Sequence, residues 1–245
     1  MSASEAERRV LFDATAQRLG TAARNVEKDF WVTWTLDALF NGLGPERPRL
    51  LFKGGTSLSK GFGLISRFSE DIDITVFRAD LGQPASVEEL EALTGRKRRA
   101  RLDAIKQACQ AYIATDLHSG LSGLLQQTMT ESGLAKDDAR VVMDTNDVDQ
   151  QSLLLWYPSV TADSVGGYVQ PAVKIESGAK SALDPHHSLT MTPYIAGDVA
   201  DIDLVVPNVT TVDPERTFWD IRAMRTARAM IAASRRQRAG VSDHG

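Results

Sequence analysis

The chain lacks most of the features that would place it outside a reducing cell interior. It has a single cysteine, Cys109, in 245 residues. No intramolecular disulfide can form, and the composition fits a reducing compartment. No apolar run reaches the ~18 residues that a membrane-spanning helix needs. The opening MSASEAERRVLFDATAQRLG carries charges where a secretory signal needs an unbroken apolar stretch. These absences predict a soluble, cytoplasmic protein. An excess of positive charge is missing too. With 28 Lys and Arg against 32 Asp and Glu, the net charge of −4 argues against wholesale electrostatic binding of nucleic acid and leaves room for a local basic face. His186 and His187 are adjacent, in an expected loop beside Asp184-Pro185; neighbours of this kind point in different directions, which argues against zinc. Asp144, Asp147 and Asp149 lack the glycine and closing glutamate of a calcium loop, and read as turn and surface acids.

What is present fits an α/β or α+β protein. Hydrophobic content of 42% and charged content of 24% are ordinary for a globular chain able to bury a sizeable core. We divide it into N-terminal helices over 1–48, a core over 49–210 and a helical tail over 211–245. Residues 4–19 read as a helix capped by Ser4 with Glu7 three residues on. A second helix is expected from Ala22 to about Phe40, and a loop over 42–48 leads into the first strand. Residues 86–118 read as one long helix with Leu102, Ile105, Cys109 and Ile113 on a face, followed by a less regular helix over 119–138. The run Arg96-Lys97-Arg98-Arg99, with Arg101, is either a solvated helix face or a contact for RNA phosphates. Strand character is expected over 141–149 before the chain turns polar, and strands over 153–157 and over 169–177. Asp201-Ile202-Asp203 reads as a further strand with an exposed polar face.

Residues 51–76 organise the rest. An apolar lead, Leu50-Leu51-Phe52, runs into Gly54-Gly55-Thr56-Ser57. A helix carrying Leu58, Lys60, Phe62 and Ile65 is expected next, then a strand from about Asp71. In a strand Asp71 and Asp73 point one way while Ile72 and Ile74 enter the core. Two carboxylates so close call for a cation, and Mg²⁺ takes one or two carboxylates together with phosphate oxygens. The glycines let backbone approach a phosphate, and the following helix aims N–H groups at it. With Lys53, Lys60 and Arg67 nearby, this is equipment for moving a nucleotidyl group.

The order Gly54-Gly55-Thr56-Ser57-Leu58-Ser59-Lys60, then Arg67-Phe68-Ser69-Glu70-Asp71-Ile72-Asp73, resembles the GG(S/T)xLxK and RxSxDxD elements of the AbiEii/AbiGii toxin family. That family lies within the polymerase-beta-like nucleotidyltransferase superfamily. Glu27-Lys28-Asp29-Phe30-Trp31 is similar to the family's leading EKDxW segment, with helix packing or an active-site Lys28 as the two readings. The resemblance implies a nucleotidyltransferase core, a mixed sheet flanked by helices, that transfers a nucleoside monophosphate from an NTP with Mg²⁺ (or Mn²⁺). Asp71 and Asp73 would be catalytic and bind the metal. Gly54, Gly55, Thr56, Ser57, Lys60, Arg67, Ser69 and Lys174 would face the nucleotide, although Lys60 and Arg67 could instead pin the helix to the strand. The superfamily places a third carboxylate on a neighbouring strand; Glu176 is the candidate, against the alternative of an exposed strand residue.

The implied role is the toxin half of a toxin–antitoxin or phage-defence pair, with tRNA as acceptor and a cognate antitoxin or operon partner. Residues 212–219 resemble the opening of the family's C-terminal helical part. The family's acidic-lysine pair would fall on Asp220 and Ile221, and no later aspartate matches, so a C-terminally shortened member is expected. Three other readings follow: an impaired member that binds NTP without turnover, a partner-binding protein without chemistry, and an enzyme that nucleotidylates protein.

Overall fold

Burial alternates at the head of the strand Ile72–Val76 (β2): Ile72 and Ile74 are sealed in the core while Asp73 keeps partial contact with solvent. The computed structural model describes residues 3–66, 68–135, 138–161, 170–179, 184–199 and 202–219. In it β2 is central. It pairs antiparallel with β1 (Leu50–Lys53) and parallel with β5 (Ala172–Glu176). Beyond β5 lie β4 (Ser152–Trp156) and β3 (Arg140–Met143). Beyond β1 lie β7 (Val206–Val212) and β6 (His186–Met191). The order is β3-β4-β5-β2-β1-β7-β6, a mixed sheet, since the β1–β7 pairing is parallel too. The expected α/β class with a mixed sheet and flanking helices is what the chain adopts.

Helix α1 (Glu5–Leu19) starts where expected: Ser4 accepts from the Glu7 N–H while the Glu7 carboxylate accepts from the Ser4 N–H. Helix α2 (Ala23–Asp37) widens into a π-helical turn over Ala38–Gly42 and buries Val26, Trp31, Val32 and Leu36. After β1, a short helix α3 (Gly54–Thr56) widens over Ser57–Gly61. Helices α4 (Val87–Ala92), α5 (Gly95–Tyr112) and α6 (His118–Glu131) follow β2.

Cys109, Ile113, Leu117, Leu121, Leu125 and Met129 recur every fourth residue, and all are fully buried. At ~100° per residue such a stripe drifts by about 40° per step around an α-helix. The wider turn over Ile113–Leu117 takes back part of that drift and joins α5 to α6 without a break. Burial pushes the Cys109 thiol up to about 11, as expected of a core cysteine.

Several expectations are corrected. The helix after Ser57 stops at Gly61, because Gly63 takes φ +62° and turns the chain, leaving Leu64 and Ile65 exposed. The long helix over 86–118 is interrupted: α4 ends at Ala92 and a new N-terminus forms at Gly95. The irregular helix over 119–138 is instead the regular α6, ending at Glu131. His186 and His187 open β6 rather than sit in a loop. No strand forms over 202–205: the Asp203 carboxylate accepts from the Val205 N–H, a turn contact, and β7 starts at Val206. Asp144 is buried, not a surface acid. Asp201 lies outside the described residues.

Candidate active site

The site begins where β1 hands over to α3. Gly54 has φ +82°, which favours glycine, and a side chain there would overlap the Asp73 carboxylate on the adjacent strand. The glycine turn and the second aspartate are therefore in contact, brought together by the pairing of Lys53 with Asp73. Gly55 would set a Cβ 3.2 Å from Ser69 Oγ. Thr56 is buried; its hydroxyl donates to the Asp71 carbonyl and lies 2.8 Å from Ser69 Oγ. Ser57 Oγ donates to the Gly54 carbonyl at 2.8 Å, tying the turn to itself. Hydroxyls thus lock the turn to the segment that presents Asp71.

On the other side of β2, Asp73 stands in register with Glu176 across the parallel β2–β5 pair. Glu176 is exposed and meets Lys174 at 2.8 Å; Lys174 also reaches Asp144 at 3.4 Å. Burial works against the Lys174 charge, yet Glu176 and Asp144 hold its pKa above the usual lysine value. Asp71, just ahead of β2, has its carboxyl pKa raised, first by desolvation and then by the charges of Glu70 and Glu176; Lys28 and Lys174 oppose the shift. Asp71, Asp73, Glu176 and Lys174 thus form one electrostatic neighbourhood. Arg67 lies outside the described residues.

Lys60 takes another course. Its ammonium is buried, 2.6 Å from Asp29 Oδ1, and donates to the Thr192 carbonyl at 3.0 Å. The α3 segment is thereby anchored to α2. Asp29 belongs to a triplet whose reach sequence reasoning missed. Glu27 accepts from the Val160 N–H at 2.7 Å and Ser159 Oγ at 2.6 Å, and Lys28 pairs with Glu70 at 2.5 Å. The signal in the sequence was three consecutive charges inside an apolar helix. Their burial and partners were not visible there. Arg98 and Arg101 of the basic run donate to carbonyls of Leu90, Glu91 and Pro84, holding α5 against the segment before it.

Among the described residues no three His, Cys, Asp or Glu side chains converge as a preformed metal cage. An apolar cavity of about 310 Å³ lies elsewhere, between α2, α6 and residues 202–206. No described helix is long and apolar enough to cross a membrane.

Residues 37–236 match the sequence profile of a family described as the nucleotidyl transferase AbiEii toxin of type IV toxin–antitoxin systems. The chain belongs to the AbiEii nucleotidyltransferase toxin family. The AbiEii match covers the glycine turn, both aspartates and Glu176; it begins after the EKDxW-like segment and continues beyond Trp219. No curated protein matches the chain significantly. Among solved structures, MenT4, a nucleotidyltransferase toxin from Mycobacterium tuberculosis H37Rv, is similar at 16% identity and a TM-score of 0.40. That alignment covers 83% of this chain and 55% of MenT4, so the chain spans about half the length of that protein. Asp220 and Ile221, where the family's acidic-lysine pair would fall, lie outside the described residues.

Proposed function

We propose that the chain transfers a nucleoside monophosphate from an NTP to an RNA acceptor, tRNA being the expected one, as the toxin of a type IV toxin–antitoxin pair in the cytoplasm. The observation that carries this reading is the contact between the Gly54 turn and Asp73, with Glu176 in register beside it. A phosphate cradle and an acidic cluster on adjacent strands have little structural use together, because the carboxylates repel. Asp71 and Asp73 would hold Mg²⁺ (or Mn²⁺): the donors are hard carboxylate oxygens, and two of them suffice when phosphate oxygens and water complete the shell. When bound, the metal supplies positive charge to the phosphate oxygens.

The chain's own groups do the rest. Backbone N–H groups at the start of α3 donate to the outer phosphate oxygens, with the hydroxyls of Thr56, Ser57 and Ser69 fixing the turn. Lys174 adds positive charge near the acidic cluster. Glu176 takes the proton from the attacking hydroxyl as its oxygen bonds to the α-phosphorus and pyrophosphate departs. Lys60 serves this site by anchoring α3.

The test is incubation of the purified protein with each NTP radiolabelled at the α-phosphate, Mg²⁺ and total tRNA, beside Asp71→Ala/Asp73→Ala. Label on RNA that disappears in the variant is the expected result. The substitution-like departure at Ile221 motivates a second reading, NTP or antitoxin binding without turnover; bound NTP with no labelled product in any lane would favour it.

A further inference from the structure

At the β3 edge of the sheet, the ends of β3 and β4 meet α1 around a cleft of about 780 Å³, with Ser4, Arg8, Arg140, Trp156, Tyr157 and Ser159 among its walls. Arg140 is exposed, faces Trp156 across the β3–β4 pair and holds its guanidinium 5.1 Å over the indole. Arg8 stands between this cleft and the apolar cavity against α2, bordering both, and its Nε is buried with no hydrogen-bond partner among the described residues. A desolvated N–H left in this way costs stability unless a ligand or water accepts from it. Glu5 and Asp138 also border the cleft, and Glu5 is occupied by Arg9 at 3.6 Å.

The strand register locates this cleft relative to Asp71. Ile72 pairs with Ile175 and Ile175 with Leu153, whereas Trp156 lies three residues further along β4, opposite Ala172. That displacement runs towards the end of β2 where Asp71 sits. Asp71 is one residue nearer than Ile72, so two residues of strand rise and two strand spacings, roughly 12 Å, separate it from Trp156, short enough for a strand end to bridge. Tyr157, on the cleft wall, stacks on Trp31 of α2 at 5.2 Å. Lys28 of the same helix reaches from the Gln170 carbonyl at 3.4 Å to Glu70 beside Asp71. One helix thus packs against a wall residue of the cleft and holds the residue next to Asp71.

We infer that this cleft binds the terminal nucleotides of a single-stranded nucleic-acid acceptor, with Arg8 and Arg140 on phosphate oxygens and Trp156 against a base. The inference rests on the nucleotidyltransferase reading for the word acceptor; the binding itself does not. Guanidinium forks match phosphate oxygens, and an indole offers a stacking face to any base. Two cations in a chain of net charge −4 suit a strand end rather than a long duplex track.

The test is fluorescence anisotropy with a labelled single-stranded RNA oligonucleotide and its duplex, titrated across KCl concentrations, alongside calorimetric NTP binding. The unaltered chain is expected to prefer the single strand, with a log–log salt slope of about −1.4 for two phosphate contacts. Arg8→Ala/Arg140→Ala is expected to weaken binding about tenfold and flatten that slope. Trp156→Ala is expected to weaken it about fivefold or more with the slope unchanged. NTP affinity stays the same in every variant. Should the double variant fail to fold, Arg140→Ala at its exposed position carries the test alone. Binding of RNA that ignores these substitutions, equal binding of duplex, or no RNA binding at all would overturn the inference. If NTP binding and label transfer persist in that case, the cleft alone is wrong. If they are absent while RNA binding responds as expected, the nucleotidyltransferase reading fails and the cleft stands.

Discussion

Gly54 is the residue on which the site depends most directly, because it combines a left-handed backbone with contact to the Asp73 carboxylate. Gly54→Ala is expected to cost about 1–3 kcal/mol from backbone strain alone, more once Asp73 is displaced, and to abolish label transfer. Thermal melting and the RNA-labelling assay check the two parts. Asp71 makes a prediction of opposite sign. Its native carboxyl pKa is raised, chiefly by desolvation, so the folded state holds this proton more readily than the unfolded chain does. Its contribution to stability is present below the unfolded carboxylate value and lost as pH rises through the raised native value. Asp71→Asn is therefore expected to melt above the wild type at neutral pH, with the difference vanishing on acidification, while transfer is lost. Lys28→Met removes a cation that opposes the shift, so the acid limb of the pH–rate profile moves to higher pH. The paired aspartates were legible from alternation in one strand. The Lys28–Glu70 contact was not, because nothing local in either segment specifies the other.

Helix α2 shows how one element can position a site made by others. Successive side chains on a helix fan out by ~100°, so Glu27, Lys28 and Asp29 reach three different segments: residues 159–161, Glu70, and Lys60 with the Tyr194 N–H. Burial pushes the Asp29 carboxyl up and the Lys60 ammonium down, and each resists the other's shift through their ion pair. Removing one partner leaves a buried charge alone. Lys60→Met is expected to cost about 3–5 kcal/mol, a fall of roughly 10 °C in Tm. Asp29→Leu/Lys60→Met should recover most of it, since a buried pair replaced by apolar side chains is often nearly neutral. A double-mutant cycle by thermal or urea denaturation measures both. An Asp29 carboxylate that tolerates Lys60→Met without loss of Tm would remove the anchoring role from Lys60. Element types were largely read from periodicity, whereas the break at Leu93 and Thr94 and the unbroken passage from α5 into α6 were not. At the first, Leu93 and Thr94 take extended backbone and Arg98 donates to the Leu90 and Glu91 carbonyls; the second depends on core packing that favours a wider turn.

Across the folded chain, ligand binding should register as stability. NTP with Mg²⁺ at about 100 times its Kd is expected to add about 2.7 kcal/mol, or roughly 5–10 °C in Tm. Asp71→Asn/Asp73→Asn should lose the Mg²⁺-dependent part of that rise, and differential scanning fluorimetry with and without a chelator checks it. The sheet explains why the binding groups can be so far apart in sequence. Asp73 and Glu176 are neighbours only because β5 adds to β2 in parallel, which requires a long crossover built from α4, α5, α6 and the β3–β4 pair. The same register carries Trp156 and Arg140 towards the Asp71 end of the sheet.

Local chemistry was enough to identify the capped α1, the glycine turn, the strand bearing Asp73 with Asp71 just ahead of it, and the family to which they belong. Each of these depends on contacts within a few residues, where turn preference and side-chain alternation act. Folding decided which charges would be buried and with whom. It set Lys60 on Asp29, brought Lys28 to Glu70, placed Glu176 beside Asp73 and left Arg8 facing a cleft. Such choices depend on strand pairing and desolvation between distant segments, and those energies exist only once the core has closed.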